Sequence, residues 1–167
     1  MDHSLGPVGP AWLVALETSG LGDTLRQSLW LYPLVEVLHI LGLALLVGSI
    51  AAFDLRLMGL HAGLPAGALS RLLLPVAVVG FVLVVPTGIL LFISEATALA
   101  RNPAFLVKMG LMLAALGNIA LFHRGAGRRI AGWGGGGRPP PAARVAGVVS
   151  LLLWIAVLAS GRLIAYL

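Results

Sequence analysis

Cysteine is absent from the 167-residue chain, which excludes a disulfide framework, a thiolate metal site and a cysteine nucleophile. Charge is also scarce, because only 10% of the residues are charged, against roughly 25% in an average soluble domain. Hydrophobic residues make up 59% of the chain, and its mean hydropathy is +1.03. The length has room for a single domain, and this excess of apolar side chains needs lipid to cover it.

Four long apolar runs carry most of the hydrophobic residues. They cover about residues 29–53, 72–93, 103–122 and 145–167, and each is near the roughly 20 residues that span a hydrocarbon core of ~30 Å. In lipid each run must be helical, because only a helix satisfies its own backbone groups. The sequence therefore predicts an all-α membrane protein, a bundle of four transmembrane helices over residues 29–167.

Proline and glycine mark features of these helices and of one loop. Pro33 and Pro103 lie at the starts of the first and third runs, where a missing N–H is harmless. We expect a first-turn position for Pro75 as well, whereas Pro86 is interior and predicts a kink in the second helix. The string GWGGGGRPPP, residues 132–141, is low in complexity and predicts a flexible, solvated loop over residues 124–143.

Residues 1–28 precede the first span and form the predicted interfacial segment. From Trp12 to Leu31 apolar residues recur at helical spacing, interrupted by a turn over residues 19–22 with Asp23 as the expected N-cap. The extreme N-terminus has no basic residue and the apolar run begins late, which argues against a signal peptide. We predict helices that lie on the periplasmic face of the membrane.

Basic residues indicate the orientation of the chain. Arg56 and Arg71 lie between the first two spans, and five arginines lie between the last two: Arg124, Arg128, Arg129, Arg138 and Arg144. The N-terminal tail and the second loop hold only Arg26 and Arg101, offset by acidic residues. The positive-inside rule therefore places both termini in the periplasm and both basic loops in the cytoplasm of a bacterial inner membrane. Arginines in this role give no reason to expect a nucleic-acid partner.

Five side chains within the predicted spans are candidates for a functional site. His39 is roughly 15 Å below the outer end of the first span, and Glu36 is about one turn closer to the outside on the same face. Lys108 and Met112 are four residues apart on the third helix, and Arg162 lies in the outer third of the fourth. We expect these five side chains to converge in the outer half of the bundle.

Ionisable residues within a membrane are costly, so each is a functional-site hypothesis by default. Other interpretations remain open. His39 can hydrogen-bond to a neighbouring helix for packing alone, and Lys108 and Arg162 can extend to the outer headgroups. Glu36 can neutralise either cation, and Met112 can fill the core. Glycines in the spans permit close helix contact, and they would also make room for a flat cofactor.

The combination favours a b-type haem. A neutral imidazole can ligate the iron, apolar walls can hold the macrocycle, and Arg or Lys can pair with the propionates. We hypothesise that His39 is the metal ligand and that Lys108, Met112 or an open position is opposite it. Arg162 and Glu36 would tune the charge around the site.

Two other classes of function stay open. A conduit for a metal, a proton or a small solute would use Glu36, His39 and Lys108 as a relay. An accessory subunit of a membrane complex would need no cofactor. The expected partners are membrane lipids, a second copy of the chain, and a quinone or another redox partner.

Three strings resemble an uncharacterised family of small bacterial four-helix membrane proteins: LYPLVEVLHILGLALLVGSIAAFDLRLMGL, NPAFLVKMGLMLAALGNIALFH and WIAVLASGRLIAY. More distantly, the HILG string, Arg56 and the third-helix lysine resemble HemJ-like protoporphyrinogen oxidases and CopD-like copper-resistance membrane domains. In the HemJ-like group a first-helix histidine, here His39, is tied to haem b, and a third-helix lysine, here Lys108, is functionally implicated. The chain departs from that group in having Leu46 where an aromatic residue is common, and a longer spacing from Lys108 to His123. The resemblance implies haem at His39 and Lys108, and we infer no particular catalytic activity from it.

Overall fold

The computed structural model describes residues 8–61, 63–128 and 139–167, and over these residues the chain is helical with no strand. The helices are α1 (Ala11–Glu17), α2 (Gly20–Gln27), α3 (Leu31–Met58), α4 (Ala66–Ser94), α5 (Ala96–Leu99), α6 (Pro103–Arg124) and α7 (Pro141–Leu163), followed by a 3-10 helix (Ile164–Tyr166). In the described ranges, four helices are long and apolar enough to cross a membrane: α3, α4, α6 and α7. The predicted fold class is confirmed, and the chain has the architecture of a multi-pass membrane protein.

The four long helices run antiparallel. His39 of α3 lies beside residues 87 and 88 of α4, and Gly42 lies beside Gly80. This arrangement leaves the start of α3 and the end of α7 at one end of the bundle, which we call the tail end. The α3–α4 turn and the α6–α7 connection lie at the opposite end, which we call the loop end.

Several helices extend beyond the predicted spans at the loop end. α3 continues through Asp54 and Arg56 to a left-handed Gly59 with φ 106°, and α4 begins at Ala66 rather than near residue 72. Because α4 begins early, Pro75 lies inside the helix, so its predicted first-turn position is wrong. Of the predicted flexible loop, residues 124–143, the central residues 129–138 with Trp133 and Arg138 lie outside the described residues. Its two ends are helical, because α6 extends to Arg124 and α7 begins at Pro141.

The N-terminal segment forms two short helices at the tail end. Ser19 is the N-cap of α2, because its hydroxyl accepts a hydrogen bond from the N–H of Gly22 at 3.3 Å. The prediction of Asp23 as the cap is therefore wrong. Asp23 lies in the first turn of α2 and forms an ion pair with Arg26.

Two hydrogen bonds attach this segment to the bundle. The Arg26 guanidinium donates to the carbonyl of Ser94 at 3.0 Å, where α4 ends. The Glu17 carboxylate accepts from the backbone N–H of Thr97 in α5 at 2.8 Å. Both bonds use backbone groups at helix ends that lack partners within their own helix, so α1 and α2 cover the tail end of α4 and α5.

The packing centres on α3, which lies against both α4 and α7, while α6 packs chiefly on α7. Glycine allows the closest crossing: a Cβ added at Gly80 would lie 2.5 Å from the backbone nitrogen of Leu46 and 2.7 Å from the carbonyl oxygen of Gly42. At mid-height the four helices meet in an apolar cluster composed of Leu46, Ala77, Ala115, Trp154 and Val157. This cluster separates the tail half of the bundle from the loop half.

Candidate functional site

His39 faces α4 in the tail half, and a hydrogen bond fixes its imidazole. Its Nδ1 lies 2.9 Å from the hydroxyl of Thr87, and that hydroxyl lies 2.6 Å from the carbonyl oxygen of Leu83. A threonine hydroxyl has one proton, and the shorter contact to the carbonyl takes it. We therefore assign the ring proton to Nδ1, which donates to Thr87. Nε2 then presents a lone pair, and it has no hydrogen-bond partner among the described residues.

The α4 sequence Pro86-Thr87-Gly88 forms the surface on which the ring lies. Pro86 lacks an N–H, so it breaks the helical hydrogen-bond ladder at this point. Gly88 lets the imidazole approach the backbone, because an added Cβ would lie 3.1 Å from Cε1 of His39. The acceptor for the ring N–H and the space for the ring therefore come from two consecutive residues, Thr87 and Gly88.

Lys108 of α6 is the second residue of the candidate site. Its aliphatic stem lies against α7, and its Nζ is 3.6 Å from where a Cβ at Gly161 would be. Its charge acts on His39, so the two side chains share one region of the tail half. Lys108 forms no ion pair with a carboxylate of residues 8–61, 63–128 or 139–167.

The other three predicted site residues make their contacts elsewhere. Arg162 is exposed, its guanidinium lies 4.8 Å from the ring centroid of Tyr166, and it donates to the Tyr166 hydroxyl at 2.6 Å. Met112 packs against the apolar cluster, and Glu36 is exposed. The structure thus brings together His39 and Lys108, from the first and third spans. In the described chain, no three His, Cys, Asp or Glu residues are grouped as metal ligands.

A second polar feature lies in the loop half, where the helices enclose a cavity of about 470 Å³. Its walls are mainly apolar and aromatic, and Asp54, Ser150 and Trp154 bring polar groups to it. Asp54 and Trp154 are only 4% and 3% exposed. The Ser150 side chain hydrogen-bonds to the Asp54 carboxyl group, whereas Oδ2 of Asp54 and Nε1 of Trp154 have no partner within the described part of the chain.

Sequence reasoning missed both Thr87 and Asp54. Thr87 looked like an ordinary small residue in an apolar run, although its position next to an interior proline was a signal. Asp54 was placed just beyond the end of the first span, because a charge normally ends an apolar run. Asp54 is eight residues after Leu46, which places it near the packed face of α3. This spacing was the available signal that Asp54 is buried.

A family model described as a family of unknown function (DUF6644) matches residues 15–167. The matched region includes every helix from α2 to the 3-10 helix. This agrees with the expected uncharacterised membrane family. No curated protein and no solved structure matches the chain, and similarity to HemJ-like or CopD-like proteins is not shown.

Proposed function

We propose that the chain, which belongs to the DUF6644 family of unknown function, binds a b-type haem in the tail half of its bundle. His39 would be the iron ligand, and Lys108 would supply positive charge for a propionate. Bound there, a haem supplies a one-electron redox centre within the membrane.

The hydrogen bond from His39 to Thr87 carries this proposal. Histidines that ligate metals generally donate their other ring N–H to a fixed acceptor, which sets the tautomer and the ring orientation. Here Nδ1 donates its hydrogen bond to Thr87. Nε2 therefore keeps the lone pair that could bind a metal.

Lys108 supports the same assignment through its charge. A lysine within a membrane span usually pairs with a carboxylate or extends to the headgroups, yet Lys108 has no ion pair among residues for which the structure gives positions. An anionic group bound beside His39 would supply the missing partner. The propionates of haem b are negatively charged. One haem could therefore offer its iron to His39 and a propionate to Lys108.

The surroundings of His39 leave an approach for a planar group. The imidazole is only partly buried, so part of its surface is accessible to a bound group. Met112 lies against the apolar cluster, so its thioether is engaged in core packing. We therefore propose His39 as the protein ligand and Lys108 as the cation for a propionate.

The arrangement of polar groups favours a binding site over a conduit. His39 and Lys108 are in the tail half, Asp54 is in the loop half, and the apolar cluster lies between them. A relay for protons or metal ions needs polar groups at intervals along its path. Glu36, the third member of the predicted relay, is exposed rather than turned toward His39.

The direct test is the visible spectrum of the protein purified in mild detergent, recorded oxidised and then reduced with dithionite. We expect a Soret band in both states, with α and β bands that sharpen on reduction. A preparation that stays colourless after haem supplementation would reject the proposal.

Replacing the ligand provides the residue-specific test. We expect His39→Ala to abolish the Soret band, because no second histidine of the described residues shares this region, while the protein still reaches the membrane. His123→Ala is the matched control, since His123 is exposed on α6 and its Nδ1 contacts only the backbone oxygen of Ile119 at 2.9 Å. An unchanged spectrum in His39→Ala would remove His39 as the ligand.

A further inference from the structure

The cavity in the loop half opens sideways, between α4 and α6. These two helices meet near the tail end, where the rings of Phe92 and Phe105 stack with centroids 5.5 Å apart. Toward the loop end their facing residues line the cavity and are exposed: Leu74, Val78 and Phe81 on α4, and Leu116 on α6. In a membrane this side of the bundle faces acyl chains, so a lipid-soluble molecule can enter from the bilayer.

The floor of the cavity holds two buried polar atoms that lack partners. Asp54 of α3 contributes Oδ2, an acceptor, and Trp154 of α7 contributes Nε1–H, a donor. Trp154 is four residues after Ser150, which hydrogen-bonds to Asp54, so Ser150 and Trp154 are on the same face of α7. Buried polar groups are nearly always hydrogen-bonded, because leaving one unpaired is costly. Together they call for a ligand with both a donor and an acceptor.

This requirement narrows the chemistry of the ligand. An ammonium group offers donors only, so it would satisfy Asp54 and leave Trp154 unpaired. A hydroxyl group donates through its proton and accepts through its oxygen, so one hydroxyl can serve both atoms. The side walls include the rings of Phe53, Phe81 and Phe122, which pack well against a flat ring.

We propose that this cavity binds a membrane-dissolved quinol, with one hydroxyl between Asp54 and Trp154, the ring between the phenylalanines, and the apolar tail leaving between α4 and α6. The site is separate from the haem site. His39 and Asp54 are fifteen residues apart on α3, roughly 22 Å along the helix axis, with the apolar cluster between them.

The test compares a quinol with its dimethyl ether, in which methyl groups replace the two hydroxyl protons. The protein is reconstituted in phospholipid nanodiscs under anaerobic conditions, and saturable binding of labelled decylubiquinol is compared with binding of its dimethyl ether. We expect the ether to bind about tenfold more weakly or worse, as loss of one charge-assisted hydrogen bond predicts. This comparison uses the unaltered protein, so it does not depend on whether a variant folds.

Variants assign the effect to the two atoms. Asp54→Asn keeps the size of the side chain and Trp154→Phe keeps an aromatic ring while removing the N–H, and we expect each to weaken quinol binding about tenfold. Asp23→Asn and Trp30→Phe are the matched controls, since both residues are exposed and outside the cavity, and we expect wild-type affinity from them.

Three outcomes would overturn the proposal: equal affinity for quinol and ether, full affinity in both cavity variants, or a co-purified phospholipid that decylubiquinol does not displace. The haem proposal fails independently of this one. His39→Ala is expected to keep quinol binding, and Asp54→Asn is expected to keep the Soret band.

Discussion

At the scale of single residues, the chemistry of the bundle depends on which atoms already have partners. Thr87 shows how little of this is visible in sequence. Its hydroxyl bonds to Leu83 one turn back, a local contact that any helical threonine can make, and the same oxygen then meets a histidine 48 residues earlier in the chain. Hydropathy predicted a buried polar group at His39, but the partner depends on the register of α3 against α4, which residue type alone does not determine.

Thr87→Val tests this contact, because valine has the same shape and cannot accept the hydrogen bond from Nδ1. We expect haem affinity to fall about tenfold, the lower end of what loss of a supporting partner costs a metal ligand. The measurement is a haem titration of the apoprotein. Ser160→Ala is the matched control: Ser160 is buried and bonds to Ala156 at 2.6 Å in the same way, and its hydroxyl serves no histidine. Equal affinities in the two variants would show that Thr87 does not support the ligand.

At the scale of helices, length and hydropathy predicted the four spans but misplaced their ends. Asp54 ended the first predicted span because a carboxylate is costly in lipid. In the structure α3 continues because this carboxyl group is turned toward α7, where Ser150 hydrogen-bonds to it and Gly147 allows close approach. Pro75 was misplaced for a similar reason. Arg71 is charged, so the second helix was predicted to begin after it. Packing between helices, which one sequence does not display, accounts for both differences.

Gly80→Ala tests the crossing of α3 and α4. The new methyl group would meet backbone atoms of Leu46 and Gly42 at 2.5 and 2.7 Å, and a backbone cannot move aside as a side chain can. We expect the free energy of unfolding to fall by about 1–3 kcal/mol, the usual cost of overpacking, measured by thermal unfolding in detergent.

Gly48→Ala is the control for that experiment, because nothing lies within 4 Å of its added Cβ. Alanine is the better helix former, so we expect unchanged or slightly higher stability. A loss at Gly48 as large as that at Gly80 would show that flexibility of the glycines, rather than close contact, is what matters.

At the scale of the whole molecule, the start of the described chain and its C-terminus lie at one end of the bundle, and the described loop arginines lie at the other. Arg71, Arg124 and Arg144 are on the loop side, consistent with the charge asymmetry read from the sequence. Arg56 has a further role, because it is 3% exposed and its Nε donates to the carbonyl of Leu64 at 2.7 Å. It therefore fastens the α3–α4 turn as well as adding to the positive charge of that side.

Reporter fusions test the orientation predicted from this asymmetry. We expect a fluorescent reporter to be active after Gly135, and alkaline phosphatase, which needs the periplasm, to be active at the C-terminus. A fusion after Ala100, at the tail end between α5 and α6, serves as the internal control and should match the C-terminus. Phosphatase activity after Gly135 would invert the topology.

The packing of α6 imposes an order on biosynthesis. Its helical partner along most of its length is α7, which the ribosome makes afterwards, and within the described chain α6 buries only Ala104 and Ala115. Until α7 has been made, α6 and its Lys108 lack the helix against which they pack. We therefore expect α6 to reach its final position only after α7 has been made, and a chain truncated before α7 to be less stable in the membrane.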